Sequence, residues 1–143
     1  MLSQTCKAAI KAVIYLASGE EGSRKSIVQI AADTGENIHT LGKMLPRLVK
    51  AGLIRSNKGP NGGFYVDARQ KTFPIEKVVL CIDGEDVFKK CGLGLSTCSA
   101  CQPCPFHVAY EPIRKQFQEL CRRHTVADLC APLHEGLTCL VRA

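Results

Sequence analysis

No apolar run in this sequence approaches the ~18 residues that a membrane-crossing helix requires, so no membrane partner is expected. The opening stretch, MLSQTCKAAIKAVIYLASGEEG, lacks the compact apolar segment of an export signal, because Lys7 and Lys11 interrupt it. A cytoplasmic, reducing location follows as the expectation. In that setting nine cysteines, an odd number, point to metal or redox chemistry rather than to a disulfide framework. Internal repeats and low-complexity tracts are absent. The four histidines fall into no nucleophile–base–orienter pattern, which argues against an enzyme. Acidic residues are missing between positions 43 and 58, where Lys43, Arg47, Lys50, Arg55 and Lys58 supply five positive charges.

That local gap belongs to a wider asymmetry. Residues 1–82 hold 12 Lys/Arg against 6 Asp/Glu, whereas residues 83–143 hold 7 of each, so the whole formal charge of +6 lies in the first part. A polyanionic partner for that part is the natural inference. A chain of 143 residues, 45% hydrophobic, is long enough for one ordinary core and too apolar for disorder.

Apolar residues recur at helical spacing over 2–18, as Cys6, Ile10, Val13, Ile14 and Ala17. Ser26-Ile27-Val28-Gln29 is a capping box that opens a second helix to about Asp33. A third helix spans 37–51, with Ile38, Leu41, Leu45, Leu48 and Val49 on one face and Gly52 just past its end. Gly42 and Pro46 fall inside it, and a kinked or shortened helix is expected there. Two β-prone runs, 53–56 and 63–66, flank Lys58-Gly59-Pro60-Asn61-Gly62, a hairpin signal. Pro74 opens a helix to about Asp83, with Glu76 in its first turn.

Three short helices followed by a glycine-rich hairpin is the order of a winged helix-turn-helix. The expected fold is mainly α with that small hairpin, followed by a long C-terminal dimerisation helix. A helix of this kind enters the major groove with its N-terminal residues on base edges. Asn37, His39, Thr40 and Lys43 stand at that end, and Arg47, Lys50 and Lys58 suit phosphates. Gly59 would let the wing tip approach a backbone, with Lys58 beside the minor groove. Double-stranded DNA is the partner so implied.

Residues 84–104 read as a loop. Cys91, Cys98, Cys101, Cys104 and His107 fall within 17 residues, and thiolates so placed suit zinc or an iron–sulfur cluster. From Pro105 a long helix carries Phe106, Tyr110, Ile113, Phe117 and Leu120 at spacings of 4, 3, 4 and 3, an a/d-type seam for a second copy of the chain. Pro112 interrupts it. Thr125 and Asp128 cap a last short helix. Cys6, Cys81 and Cys121 lie on apolar faces and are expected in the core, whereas His124 and His134 are expected at the surface. The nine-residue spacing of Cys121, Cys130 and Cys139 suggests no mechanism. Three regions result: 1–83 for DNA, 84–104 for metal and 105–143 for dimerisation.

These residues resemble the Rrf2 family of bacterial winged-helix transcription regulators over almost the whole chain. The resemblance rests on Leu2-Ser3-Gln4-Thr5-Cys6-Lys7-Ala8-Ala9-Ile10, on Lys58-Gly59-Pro60-Asn61-Gly62-Gly63-Phe64-Tyr65, on Ile82-Asp83-Gly84 and on the cysteine loop. It implies a homodimer on palindromic operator DNA. It further implies that Cys91, Cys98 and Cys104 ligate an iron–sulfur cluster, 2Fe–2S in preference to 4Fe–4S, with His107 as fourth ligand in the IscR-like pattern and Cys101 an extra thiol. Redox state, nitric oxide or iron–sulfur supply would then be the signal. In NsrR-like members a carboxylate from the N-terminal helix completes the site, but Lys7-Ala8-Ala9 offers none. Six residues separate Cys91 from Cys98, one more than in the IscR-like pattern, and Gly42 replaces an acid at a base-reading position, so that operator preference does not transfer.

Overall fold

The computed structural model describes residues 1–95 and 99–142. Helix α1 (Gln4–Ser18) is its centre. Ser3 caps it, its hydroxyl accepting from the Cys6 amide. Small residues on its inner face, Ala8, Ala9, Ala12 and Ala17, are buried and let α3, α5 and α8 pack closely against it.

Helix α2 (Ile27–Thr34) begins at the expected capping box, with both reciprocal bonds between Ser26 and Gln29 present, and stops at Gly35, whose φ of 71° a side chain would oppose. Helix α3 (Ile38–Lys50) buries Leu41, Met44, Leu45 and Leu48 against α1 and α2. Each fully buried leucine of this kind contributes roughly 1.5–3 kcal/mol. The expected shortening at Pro46 does not occur: all 13 residues are helical. The bond that proline removes belongs to the carbonyl of Gly42, which lies on the exposed face where solvent replaces it.

Strands β1 (Arg55–Asn57) and β2 (Gly63–Tyr65) pair antiparallel, Arg55 opposite Tyr65 and Asn57 opposite Gly63. They are shorter than the expected runs because Leu53 and Ile54 leave the hairpin and enter the core. Lys25 adds a third edge, exchanging backbone bonds with Phe64 at 3.0 and 2.8 Å. Gly63 is obligatory there, since a Cβ would stand 2.8 Å from the Lys25 carbonyl oxygen.

Two short helices depart from expectation. Helix α4 (Ala68–Lys71) opens on a capping box of Asp67 and Gln70, and Gln70 also donates to the Gly52 carbonyl at 2.9 Å. Between them lies α5 (Ile75–Asp83), begun after Pro74 as expected. The other, α6 (Asp86–Lys89), interrupts the stretch read as an uninterrupted loop and buries Phe88 against Phe117. Helices α7 (His107–Arg123) and α8 (Val126–His134) complete the chain, the second opening on the Thr125–Asp128 box. Cys121, Val126 and Cys130 join the same core as α1 and α3, so the C-terminal helices share that core with the winged part. Among the described residues, no helix is long and apolar enough to cross a membrane.

Candidate nucleic-acid interface and thiol site

The N-terminus of α3 is exposed, and Asn37 organises it. Its Oδ1 accepts from the amides of His39 and Thr40 at 2.8 and 3.3 Å, so this residue is the N-cap of the helix as well as a candidate reader. His39, Lys43 and Lys50 are exposed on the same helix, and Lys58 and Gly59 are exposed in the turn between β1 and β2. Gly59 has φ 104°. Arg47 is placed differently from its α3 neighbours. Its guanidinium donates to the carbonyls of Cys81 at 2.8 Å and Ile82 at 3.2 Å, the last turn of α5. The guanidinium is thereby committed to joining α3 to α5.

The thiol loop is built on α7. Arg114, a buried cation, donates to the Lys89 carbonyl at 3.2 Å and the Lys90 carbonyl at 2.6 Å, fixing the chain just before Cys91. Gly92 lies flat on the Tyr110 ring, where a Cβ would meet ring carbons at 2.8 Å. At the other end, the Cys104 carbonyl accepts from the His107 amide at 3.0 Å, at the start of α7. These anchors bring Cys91 Sγ to 3.3 Å from Cys104 Sγ. The Leu93 amide donates to Cys91 Sγ at 3.4 Å. Backbone bonds from Leu93, then Leu95, hold the Cys91 thiol below its usual range, helped by Cys104 and Gly94. Thiolate at Cys91 is what a metal ligand needs.

His107 is buried, with Nε2 3.1 Å from Glu111 Oε2. Glu111 also meets Lys115 at 3.1 Å, and this pairing first, with His107 and Arg114 adding to it, keeps its carboxyl below the ordinary carboxylate range. An imidazole whose one nitrogen is held by a carboxylate is the usual form of a metal-ligating histidine. Cys98 lies outside the described residues. Among the described residues, no three Cys, His, Asp or Glu side chains converge as a metal-holding group.

Residues 2–132 match the family model described as "Rrf2: Iron-dependent Transcriptional regulator". The chain belongs to the Rrf2 family. The HTH-type transcriptional regulator IscR of Vibrio vulnificus (strain YJ016) is 25% identical over 121 residues, covering 85% of this chain and 71% of its own. Two solved structures share the fold. IscR of T. potens superposes with a TM-score of 0.74 at 19% identity, covering 97% of this chain and 92% of that one. CymR of B. subtilis gives 0.73 at 18% identity, covering 92% and 96%. The relatives are named transcriptional regulators, not enzymes, and Rrf2 regulators bind DNA.

In this Rrf2 regulator the opening segment and the Ile82-Asp83-Gly84 segment that carried the resemblance are joined. The Ser3 amide and hydroxyl both donate to the Asp83 carboxylate, the amide at 2.9 Å. Burial and the neighbouring Asp83 carboxylate push the Cys6 thiol up to about 12. Burial also raises Cys81 and Cys121, which fits their expected core role, although Cys81 is only half-buried. Cys130, without an assignment from sequence, packs in the core with its thiol 3.8 Å from the Ile14 carbonyl, whereas Cys139 and Cys101 are exposed. His124 and His134 are exposed, as expected.

Sequence reasoning missed Arg24 and Lys25. The Lys25 backbone extends the wing, and the Arg24 guanidinium sits 5.1 Å over the Tyr65 ring, adding positive charge to the hairpin. Their adjacency just before the Ser26 capping box was the available signal. The seam on α7 also divides. Phe106, Ile113 and Leu120 are exposed, whereas Phe117 turns inward onto Phe88, with ring centroids 6.0 Å apart.

Proposed function

We propose that this Rrf2 regulator is a cytoplasmic homodimer that binds palindromic operator DNA through α3 and the wing and senses its signal through the Cys91–Cys104 loop. Asn37, His39, Thr40 and Lys43 face base edges, while Lys50, Lys58 and Gly59 follow the phosphate backbone. Arg47 orients α3 against α5 and supplies charge nearby. The second copy covers Phe106, just before α7, and Ile113 and Leu120 on it, three large apolar side chains that a lone copy would leave in water.

In the loop, Cys91, Cys98 and Cys104 hold an iron–sulfur cluster, 2Fe–2S in preference to 4Fe–4S, with His107 as the fourth ligand and Cys101 outside the set. The observation that carries this is the Cys91–Cys104 approach at 3.3 Å, with backbone amides on the Cys91 sulfur and Glu111 on the His107 ring. When bound, such a cluster supplies centres reactive toward electrons, oxygen and nitric oxide. The chain itself contributes the coupling. The loop is anchored through Arg114, Gly92 and the Cys104 carbonyl to α7, the dimer helix, and through α6 to α5 and the winged part.

Anaerobic reconstitution with iron and sulfide tests the ligand set. Brown protein that loses its iron in Cys104→Ser and keeps it in Cys101→Ser supports the assignment. The opposite pattern rejects it. A colourless zinc protein would establish the second reading, a zinc-stabilised regulator, since the same thiolates suit zinc. Metal-free protein rejects both.

A further inference from the structure

We propose that Cys91 and Cys104 are a reversible dithiol–disulfide pair, oxidised by low-molecular-weight disulfides. The spacing Cys101-Gln-Pro-Cys104 would by itself pair Cys104 with Cys101. The fold instead sets Cys91 Sγ against Cys104 Sγ at 3.3 Å. A disulfide needs about 2.05 Å, so roughly 1.3 Å of further approach closes the bond.

Both sulfurs are carried on the α7 scaffold rather than on a free loop. Arg114 grips the two carbonyls that precede Cys91, the Tyr110 ring backs Gly92, and the first turn of α7 holds the Cys104 carbonyl. Once one of two thiols presented this way carries a mixed disulfide, the other attacks it far faster than a thiol arriving from solution does. Their exposure sets the order of events. Cys104 is half-buried and Cys91 is buried, so Cys104 meets the oxidant first. Its thiolate attacks one sulfur of the small disulfide, forming a mixed disulfide and releasing one small thiolate. The Cys91 thiolate, stabilised by the Leu93 amide, then attacks the Cys104 sulfur and releases the second. The two protons lost by the protein thiols end on the two small thiols. The protein is oxidised by two electrons and the small disulfide is reduced by two.

The inference rests on the thiol contact and not on metal binding, so failure of reconstitution leaves it standing and failure of cross-linking leaves the cluster reading standing. The test uses the full chain, treated with a chelator, equilibrated in glutathione redox buffers, alkylated and mapped by mass spectrometry. The expected product is one internal cross-link joining the Cys91 and Cys104 peptides, with two of the nine thiols lost to alkylation and recovered on reduction. Cys91→Ser should hold glutathione on Cys104, because the resolving sulfur is gone, while Cys101→Ser should cross-link like the parent. A cross-link of Cys104 to Cys101 or Cys98 would overturn the proposal. So would a chain in which Cys101 and Cys139 take glutathione while Cys91 and Cys104 remain free.

Discussion

Replacing Arg114 by Met tests whether the base of the thiol loop is held by this one buried cation. Two charge-assisted bonds are lost, to the carbonyls of Lys89 and Lys90 at 3.2 and 2.6 Å. Bonds to charged groups are worth about 1.5–3 kcal/mol each, and because Lys89 and Lys90 lie at the surface, water recovers part of that, giving a loss of about 3 kcal/mol. Against it stands a gain. Among the described residues the Arg114 Nε is buried with no partner, and removing it relieves about 1–2 kcal/mol of desolvation. The methionine stem keeps most of the packing. The net loss is therefore about 1–2 kcal/mol, which for a chain of 143 residues lowers Tm by about 3–7 °C. Differential scanning calorimetry measures it on metal-free protein. The same variant should cross-link Cys91 to Cys104 more slowly, because Cys91 is no longer held. A variant as stable as the parent, or more stable, would refute the claim that the carbonyl anchors outweigh the cost of the buried charge.

Other substitutions separate roles that look alike in sequence. Leu120→Asp, on the exposed side of α7, should give folded monomers in sedimentation velocity, whereas Phe117→Asp should unfold the chain, because Phe117 packs on Phe88 within one copy; a folded monomer from Phe117→Asp would contradict this division. Cys6 adds an alkaline limit to stability. Its folded-state thiol titrates near 12 against an ordinary value of 9.0, so above pH 9 the unfolded chain ionises while the folded chain does not, and stability falls as pH rises through that window. By pH 10 the loss from this thiol is about 1.4 kcal/mol, and urea unfolding at pH 8 and 10 should show Cys6→Ala less pH-sensitive by that amount; equal slopes would contradict it.

What the sequence made legible was local. The Ser26–Gln29 and Thr125–Asp128 boxes, the glycine that follows α3 and the Gly-Pro-Asn-Gly turn are written in residues three or four apart, and each forms where expected. The Asp67–Gln70 box had the same local form and opens α4, a helix too short to show apolar periodicity. The exposed bases of α3 and the wing were legible because a charge on a helix face needs no partner to be recognised. Long-range partners were not. Nothing in the sequence tells that Arg47 serves the end of α5, that Arg114 serves Lys89 and Lys90, or that Cys130 meets the Ile14 carbonyl. The thiol pairing is of the same kind. Cys91 and Cys104 stand 13 positions apart, and the path of the chain around α7 is what brings their sulfurs to 3.3 Å.

DNA binding is measured most directly by fluorescence anisotropy with duplex DNA over a salt series, for metal-free and reconstituted protein in parallel. Binding should weaken steeply and linearly on a log–log plot, and Lys58→Ala should lower the slope by about 0.9, one phosphate contact, with its Tm unchanged. Duplex binding absent at low salt in both forms, or a slope that Lys58→Ala leaves untouched, would contradict the assignment of α3 and the wing as the DNA-binding surface.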